Sequence, residues 1–395
     1  MFSLEDEVEE KFGSFDETLA FVSEEKRRIV RLPLFGLWKS GARFQDDGSF
    51  GNKGTSFKFN NYGFQAICNL VGVSDQTLQR LTTPQLTASV LNDLISSSLE
   101  REQKTASAEI VCDEEKKNAI GIVSKKYVGY SNDGFLRDVL ICLDEKNDGA
   151  LFPSTGDFVF KEAYSINSRL FLRLNTRSVK GIVSGRGGSE DDVSEIGVEV
   201  SNSMAGGHAV RLSWFVFRLI CANGLVAKVA GTQGRVFHAG GDQSFRKRLY
   251  GAASGLFQSL GKAKKMIETL GSIPFKAHSL ARNADLKLLF SIIPDRDLRV
   301  EALDRTKDRN YAEISKDSRE VERLSDAIEA LPYCLGGPEA LSVFRSAWRD
   351  GASMYDFLNI FTEHAKTLPN GKKIEAESRA GDLAIWIAQN KRKFS

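Results

Sequence analysis

Two groups of residues in this chain have the types and spacing to handle phosphate and aromatic bases. The first is Gly231-Thr-Gln-Gly-Arg-Val-Phe-His-Ala-Gly-Gly241, followed by Arg246, Lys247 and Arg248. Glycine lets backbone N–H groups approach a phosphate closely. Arg235, Arg246, Lys247 and Arg248 can pair with its oxygens, and Phe237, with His238 beside it, can stack on a base. The same pattern also describes a loop leading into a helix with a solvated cationic face. The second group is Arg169, Arg173, Arg177 and Lys180. If Arg169 to Leu174 is a strand, a separation of four places Arg169 and Arg173 on one face. Such a strip suits a nucleic-acid backbone, and it equally suits an ordinary exposed sheet face.

Most catalytic chemistries find no motif here. The four histidines (His208, His238, His278 and His364) form no HxH, HxxxH or HExxH pair, so the spacing points to no metal. The chain has no GxxxxGK[ST] loop and no GxSxG elbow, and Gly185-Arg-Gly-Gly188 lacks the GxGxxG spacing that a dinucleotide needs. Carboxylates gathered near His208 or His238 would be the remaining route to a dispersed metal site. The expectation is a non-catalytic protein without a cofactor.

A net charge of +2 conceals two unequal regions. Residues 1–30 carry nine acidic residues against four basic ones, whereas residues 201–280 carry eleven basic residues against Asp242 and Glu268. Charge separated in this way can mark an anion-binding surface and an acidic arm, or simply two solvated faces. The five cysteines are odd in number and far apart, with no CxxC pair, which fits a reducing cytosol. The acidic start is unlike a secretory signal or transit peptide. No apolar run approaches the roughly 20 residues of a membrane helix. A cytoplasmic protein with no membrane partner is expected.

The elements that would position these residues change character along the chain. The first 30 residues read as acidic amphipathic helix, with Phe12, Phe15, Leu19, Phe21 and Val22 as buried positions. Ser74 is placed to cap a helix over residues 75–81, and Pro84 opens another whose apolar face is Leu86, Val90, Leu91 and Leu94. Strand patterns follow at 108–112, 119–123, 158–166 and 169–174. Ile196, Val198 and Val200 then alternate strictly, and Val210, Leu212 and Trp214 run back as a hairpin. Beyond Gly271 the spacing is helical again. These patterns predict an α+β fold, a β-rich antiparallel central domain flanked by helical N-terminal and C-terminal parts. The expected divisions are 1–105, 106–275 and 276–395.

Val198-Glu-Val-Ser-Asn-Ser203, the turn at Gly206-Gly207, and Phe217-Arg-Leu-Ile-Cys-Ala-Asn-Gly-Leu225 together resemble the core of a phage- and plasmid-like family, domain of unknown function 932. Gly121-Ile-Val-Ser-Lys-Lys-Tyr127 and Tyr355-Asp-Phe-Leu-Asn-Ile-Phe-Thr-Glu-His364 resemble flanking elements of that family. The resemblance implies a mobile-element context in a bacterial host and carries no settled activity. With the basic and aromatic residues it leads to the expectation of a nucleic-acid-binding accessory protein in DNA recombination, annealing or replication, self-associating as annealing proteins do. The competing expectation is a protein–protein interaction module, an inhibitor or regulator docking through the acidic N-terminal arm.

Overall fold

The computed structural model of the chain describes residues 9–52, 54–81, 83–101, 103–143, 158–184, 191–206, 208–218, 223–228, 234–283, 321–322, 325, 328 and 351–394. The chain opens with β1 (Glu9–Phe12) and α1 (Phe15–Arg28). It then builds one sheet from β2 (Ile29–Pro33), β3 (Arg43–Phe44), β4 (Ser49–Gly51), β5 (Ser56–Phe59), β6 (Ala108–Asp113) and β7 (Asn118–Ser124). Helices α2 (Leu34–Lys39), α3 (Asn61–Leu70), α4 (Asp75–Gln79), α5 (Pro84–Arg101) and α6 (Gln103–Ala106) lie between those strands, and α7 (Asn132–Leu143) follows them. A second sheet takes β8 (Phe158–Ile166), β9 (Arg169–Val183), β10 (Asp192–Ser203), β11 (Val210–Arg218), β12 (Asn223–Lys228) and β13 (Arg235–Val236). Helices α8 (Asp242–Gln258), α9 (Leu260–Ser272), α10 (Ala277–Asn283), α11 (Met354–Ala365) and α12 (Asn370–Gln389), with a single 3-10 turn over Lys391–Lys393, complete the described elements. The fold is α+β.

The larger sheet runs β1-β8-β9-β10-β11-β12, with β13 also paired to β11, and every pairing is antiparallel. Its register follows from local chemistry. Asn167 and Ser168 join β8 to β9 with φ of 50° and 60°. That left-handed pair matches the twist of a two-residue hairpin. The alternation seen in the sequence then puts Leu170, Leu172 and Leu174 on one face with Ile196, Val198, Val200, Leu212 and Val216, all buried. β9 runs nine residues past Leu174 because a bulge absorbs its twist. The register shifts between Glu195 and Gly197, where the Thr176 hydroxyl donates to the Ile196 carbonyl at 2.6 Å.

Helices cover both faces of this sheet. The apolar face packs against α8 and α9, with α1 and α7 joining the same core. Trp214, on that face, donates its indole N–H to the Ser259 hydroxyl at 2.9 Å. The opposite face is covered by α12, which touches β1 and β8 at one edge and β12 at the other, so the sheet curls across it.

The smaller sheet runs β2-β6-β7-β5-β4-β3 and has one parallel pair, β5 with β7. The stretch from β5 through α3, α4, α5 and α6 to β6 supplies its crossover. Its core is aromatic, with Phe44, Phe50, Phe57, Phe59 and Phe64 buried beneath α3 and α5.

Several expectations change at this level. The division near residue 105 is crossed by hydrogen bonds, since β6 and β7 pair with β2 and β5. The stretch 242–272, assigned to the β-rich part, is helical. On α5 the buried residues are Thr87, Ala88, Leu91 and Ile95, while Leu86 is 44% exposed. Asn223 and Gly224, within the stretch that resembles the phage- and plasmid-like family, open β12. The Gly-rich loop at 185–190 and the helical patterns over most of 317–331 and 342–350 lie outside the described residues.

The acidic N-terminus is not a free arm over its described length. β1 is an edge strand of the larger sheet, and α1 buries Val22, with Glu25 also inside. Deleting residues 1–30 removes β1, α1 and the start of β2, and is expected to unfold the protein. A circular-dichroism melt of the truncated chain checks this.

Candidate nucleic-acid interface

The two sheets meet where the β10–β11 turn rests on β7. Gly121 of β7 lies so close to this turn that a Cβ added there would stand 2.3 Å from the Ala205 carbonyl oxygen. Gly206 of the turn has φ of 88°, a conformation that only glycine adopts without strain. Val111, Ile120, Val123 and Ala205 form a small apolar seam, and Tyr127 closes it by donating its hydroxyl to the Ser203 carbonyl at 2.6 Å.

Beside the seam opens a cleft of about 630 Å³. One wall is the outer face of α3, where Tyr62, Gln65, Ala66 and Asn69 recur at helical spacing. The other wall is Ile122, Val123 and Ser124 of β7, and the end is closed by Arg169, Gly206 and His208. Arg169 reaches this position because it opens β9 directly after the tight Asn167-Ser168 turn.

Cations concentrate at that end. Arg169 Nη1 lies 2.8 Å from His208 Nε2, and Arg211 Nη2 lies 3.2 Å from His208 Nδ1. Arg211 stands directly across from Arg235 in the β11–β13 pairing, so two like charges occupy opposed positions. Burial, together with the charges of Arg169, Arg211 and Arg235, pushes the His208 pKa down to about 4. The imidazole is therefore neutral at pH 7 and has a single acceptor nitrogen, so only one of the two guanidiniums can donate to it. Burial and the neighbouring arginines also lower the Arg211 pKa, against the opposing pull of Glu199 and Asp382.

From Arg235 the cationic surface continues outward. The Arg235 guanidinium sits 5.0 Å from the centroid of the Phe237 ring, which is 60% exposed. α8 follows, burying Phe245, Leu249, Ala253 and Leu256 along one side. That burial leaves Arg246, Lys247 and Arg248 exposed, and Tyr250 is 47% exposed.

The basic triplet does not act as one unit. Arg248 turns back to donate to the carbonyls of Phe237 and Ala239 and to the Ser244 hydroxyl, holding the loop with positive φ at Gly240 and Gly241. Arg246 donates to Asp242 at 3.0 Å and lies over the Tyr130 ring. Lys247 projects into solvent.

Two expected binding residues are interior. His238 is buried, stacked between Tyr127 at 4.7 Å and Phe245 at 5.0 Å, with Nδ1 3.0 Å from the Val128 carbonyl oxygen. Arg173 shares a face with Arg169 as the strand period requires, but α12 covers that face at Arg173. The guanidinium has no exposed surface and meets Glu162 at 2.8 Å, Glu199 at 2.8 Å and Glu377 at 2.5 Å. A strand's period assigns a side chain to a face and says nothing of what packs on it. Burial alone would push Arg173 to release its proton, but the carboxylates of Glu377, Glu199 and Glu162 hold it charged. Burial would likewise raise the Glu162 pKa, yet Arg173, Lys373 and Lys11 bring it down to about 2.

His238 makes acid stability testable. Burial, aided by the charge of Arg31 and opposed by the Val128 bond, lowers its pKa to about 4. Unfolded, the imidazole titrates near its ordinary 6.5, so between pH 4 and 6.5 the unfolded chain binds more protons. The stabilisation is complete above pH 6.5 and is lost as pH falls towards 4. His238→Phe is expected to remove about 2–3 kcal/mol of the stability difference between pH 7 and pH 4.5, read from denaturant midpoints.

Tyr62, His208 and Arg211 belong to the site although no binding motif marked them. Arg211 lay within the basic stretch, and His208 had drawn notice only as a metal ligand. Tyr62 gave no signal, because its neighbours on α3 are distant in sequence from everything else in the cleft. Among the described residues, no group of three His, Cys, Asp or Glu is placed to hold a metal, and no helix is long and apolar enough to cross a membrane. Comparison of the chain with protein-family models, with curated proteins and with solved structures finds no match in any of the three.

Proposed function

We propose that this chain is a non-catalytic nucleic-acid-binding protein whose contact surface is the strip from Arg235 and Phe237 along the exposed side of α8. The observation that carries this reading is the exposed Phe237 ring held under the Arg235 guanidinium, with Lys247 and Tyr250 exposed on the following helix. Cations beside solvent-facing rings are what a single strand needs, since phosphates pair with the cations and bases stack on the rings. Two rings open to solvent also favour unpaired bases over duplex, whose bases already stack on one another. From the resemblance to the phage- and plasmid-like family we further propose that this binding serves recombination, annealing or replication on a mobile element.

The test is fluorescence polarisation with labelled single- and double-stranded oligonucleotides, titrated with salt. Tight single-strand binding that weakens as salt rises is expected, because binding releases condensed counterions. Phe237→Ala should cost about tenfold in affinity through lost stacking. Arg235→Glu with Lys247→Glu should flatten the salt dependence by roughly 0.7 per phosphate contact removed. Arg248 is best left intact, because it secures the loop that carries Phe237. No binding at low salt overturns the proposal.

A further inference from the structure

We infer that the cleft between α3 and β7 is a socket for a single nucleotide, with its phosphate at Arg169 and His208 and its base against the opposite end. The strip on α8 is a different surface. The socket stands without it, and only one of the two sources considered below rests on the nucleic-acid reading.

The chemistry of the cleft is divided along its length. One end carries Arg169 and the His208 ring, with Arg211 behind His208 at 3.2 Å. Among the described residues that line the cleft, none is acidic. The His208 ring stands between the two guanidiniums, so an anion in the cleft meets Arg169 directly and is attracted by the charge of Arg211 behind the ring. A phosphate can accept from Arg169 once that guanidinium turns from His208 Nε2. The neutral imidazole can then carry its one proton on Nε2 and donate as well, with Nδ1 accepting from Arg211. The other end, where α3 finishes and Ala108 pairs with Ser124, is apolar at Leu70 and Ala108 and bordered by the side-chain amides of Gln65 and Asn69. Amides beside an apolar floor suit the hydrogen-bonding edge of a base. The Tyr62 ring lies between the two ends, its plane 21° from that of His208, with the Arg169 guanidinium 5.7 Å from its centroid. A volume of about 630 Å³ is within the usual range for small-ligand sites.

A nucleotide phosphate can reach this socket from a free mononucleotide or from the 5′-phosphorylated end of a single strand. The experiment uses the full chain with fluorescently labelled adenosine monophosphate, and with one oligonucleotide bearing either a 5′-phosphate or a 5′-hydroxyl. Binding of the labelled nucleotide, weakened at least tenfold in Arg169→Ala, supports the socket with the free nucleotide as ligand. A 5′-phosphate that strengthens oligonucleotide binding about tenfold, with the advantage lost in Arg169→Ala, supports the strand end. Gln65→Trp, which fills the cleft from an exposed helical position, serves as the second variant. It should abolish either effect while leaving the circular-dichroism melt in place, even if Arg169→Ala folds poorly. If the nucleotide fails to bind and the 5′-phosphate gives no advantage, the socket is overturned, whatever the oligonucleotide does on α8. Oligonucleotide binding that fails while the nucleotide binds overturns the proposed function and leaves the socket standing.

Discussion

Arg173→Met is expected to destabilise the protein by about 3–5 kcal/mol, the range for breaking a buried ion pair from one side. Arg173 lies in the middle of the larger sheet and joins carboxylates from two strands and a helix: Glu162 of β8, Glu199 of β10 and Glu377 of α12. Glu377 has no exposed surface, and burial raises its pKa against the pull of Arg173 and Lys373. Taking the guanidinium away leaves carboxylates in a closed space, with Lys373 and Lys11 remaining near Glu162. The methionine fills much of the volume, so the loss reports charge rather than a cavity. Adding Glu377→Leu should recover part of it, because the stranded carboxylate then disappears. Urea denaturation of the wild type, Arg173→Met and the double variant decides this. A loss below about 1 kcal/mol in Arg173→Met would show that the cluster does not hold α12 to the sheet, since that is the range of a surface pair.

The second large effect is expected at Gly121. A Cβ there would meet both the carbonyl oxygen of Ala205 at 2.3 Å and its Cβ at 2.7 Å. Neither is the far end of a flexible side chain, so the backbone of the β10–β11 turn must move. Gly121→Val should therefore cost about 3 kcal/mol or more, at the upper end for overpacking. It should also abolish nucleotide binding, because Ile122, Val123, Gly206 and His208 all line the cleft beside this contact. Gly251, in the interior of α8, provides the contrast, with nothing within 4 Å of an added Cβ. Gly251→Ala should gain about 0.5–1 kcal/mol from helix propensity. Denaturant midpoints for the two variants should move in opposite directions, and equal shifts would show that the Gly121 contact is not tight.

Local pattern determined much of the larger sheet. Ile196, Val198 and Val200 against Val210, Leu212 and Trp214 specify a hairpin with one apolar face, because a one-residue slip would turn every one of them to the wrong side. Acidic residues interleaved with Phe at helical spacing likewise marked α1, and Pro84 marked the start of α5. The small sheet was not legible in the same way. Its strands β3, β4 and β5 have two, three and four residues, too short for any alternation to register. Their pairing across more than 50 residues, β5 with β7, depends on the helices between them.

The basic residues show where sequence ends and tertiary structure begins. The sequence by itself determined that positive charge gathers between residues 201 and 280, that Phe237 adjoins Arg235, and that Arg169 and Arg173 share a face. Only the tertiary structure decided which of these meet solvent. α12, more than 180 residues beyond β9, buries Arg173 against Glu377, while Arg169 at the start of the strand stays in the open cleft. His238 vanishes between Tyr127 and Phe245, and Tyr62 arrives beside His208 from a helix in the other sheet. The physical reason is that charge and spacing are local properties, whereas burial depends on what packs from elsewhere. A site assembled across two sheets exists only once both have folded.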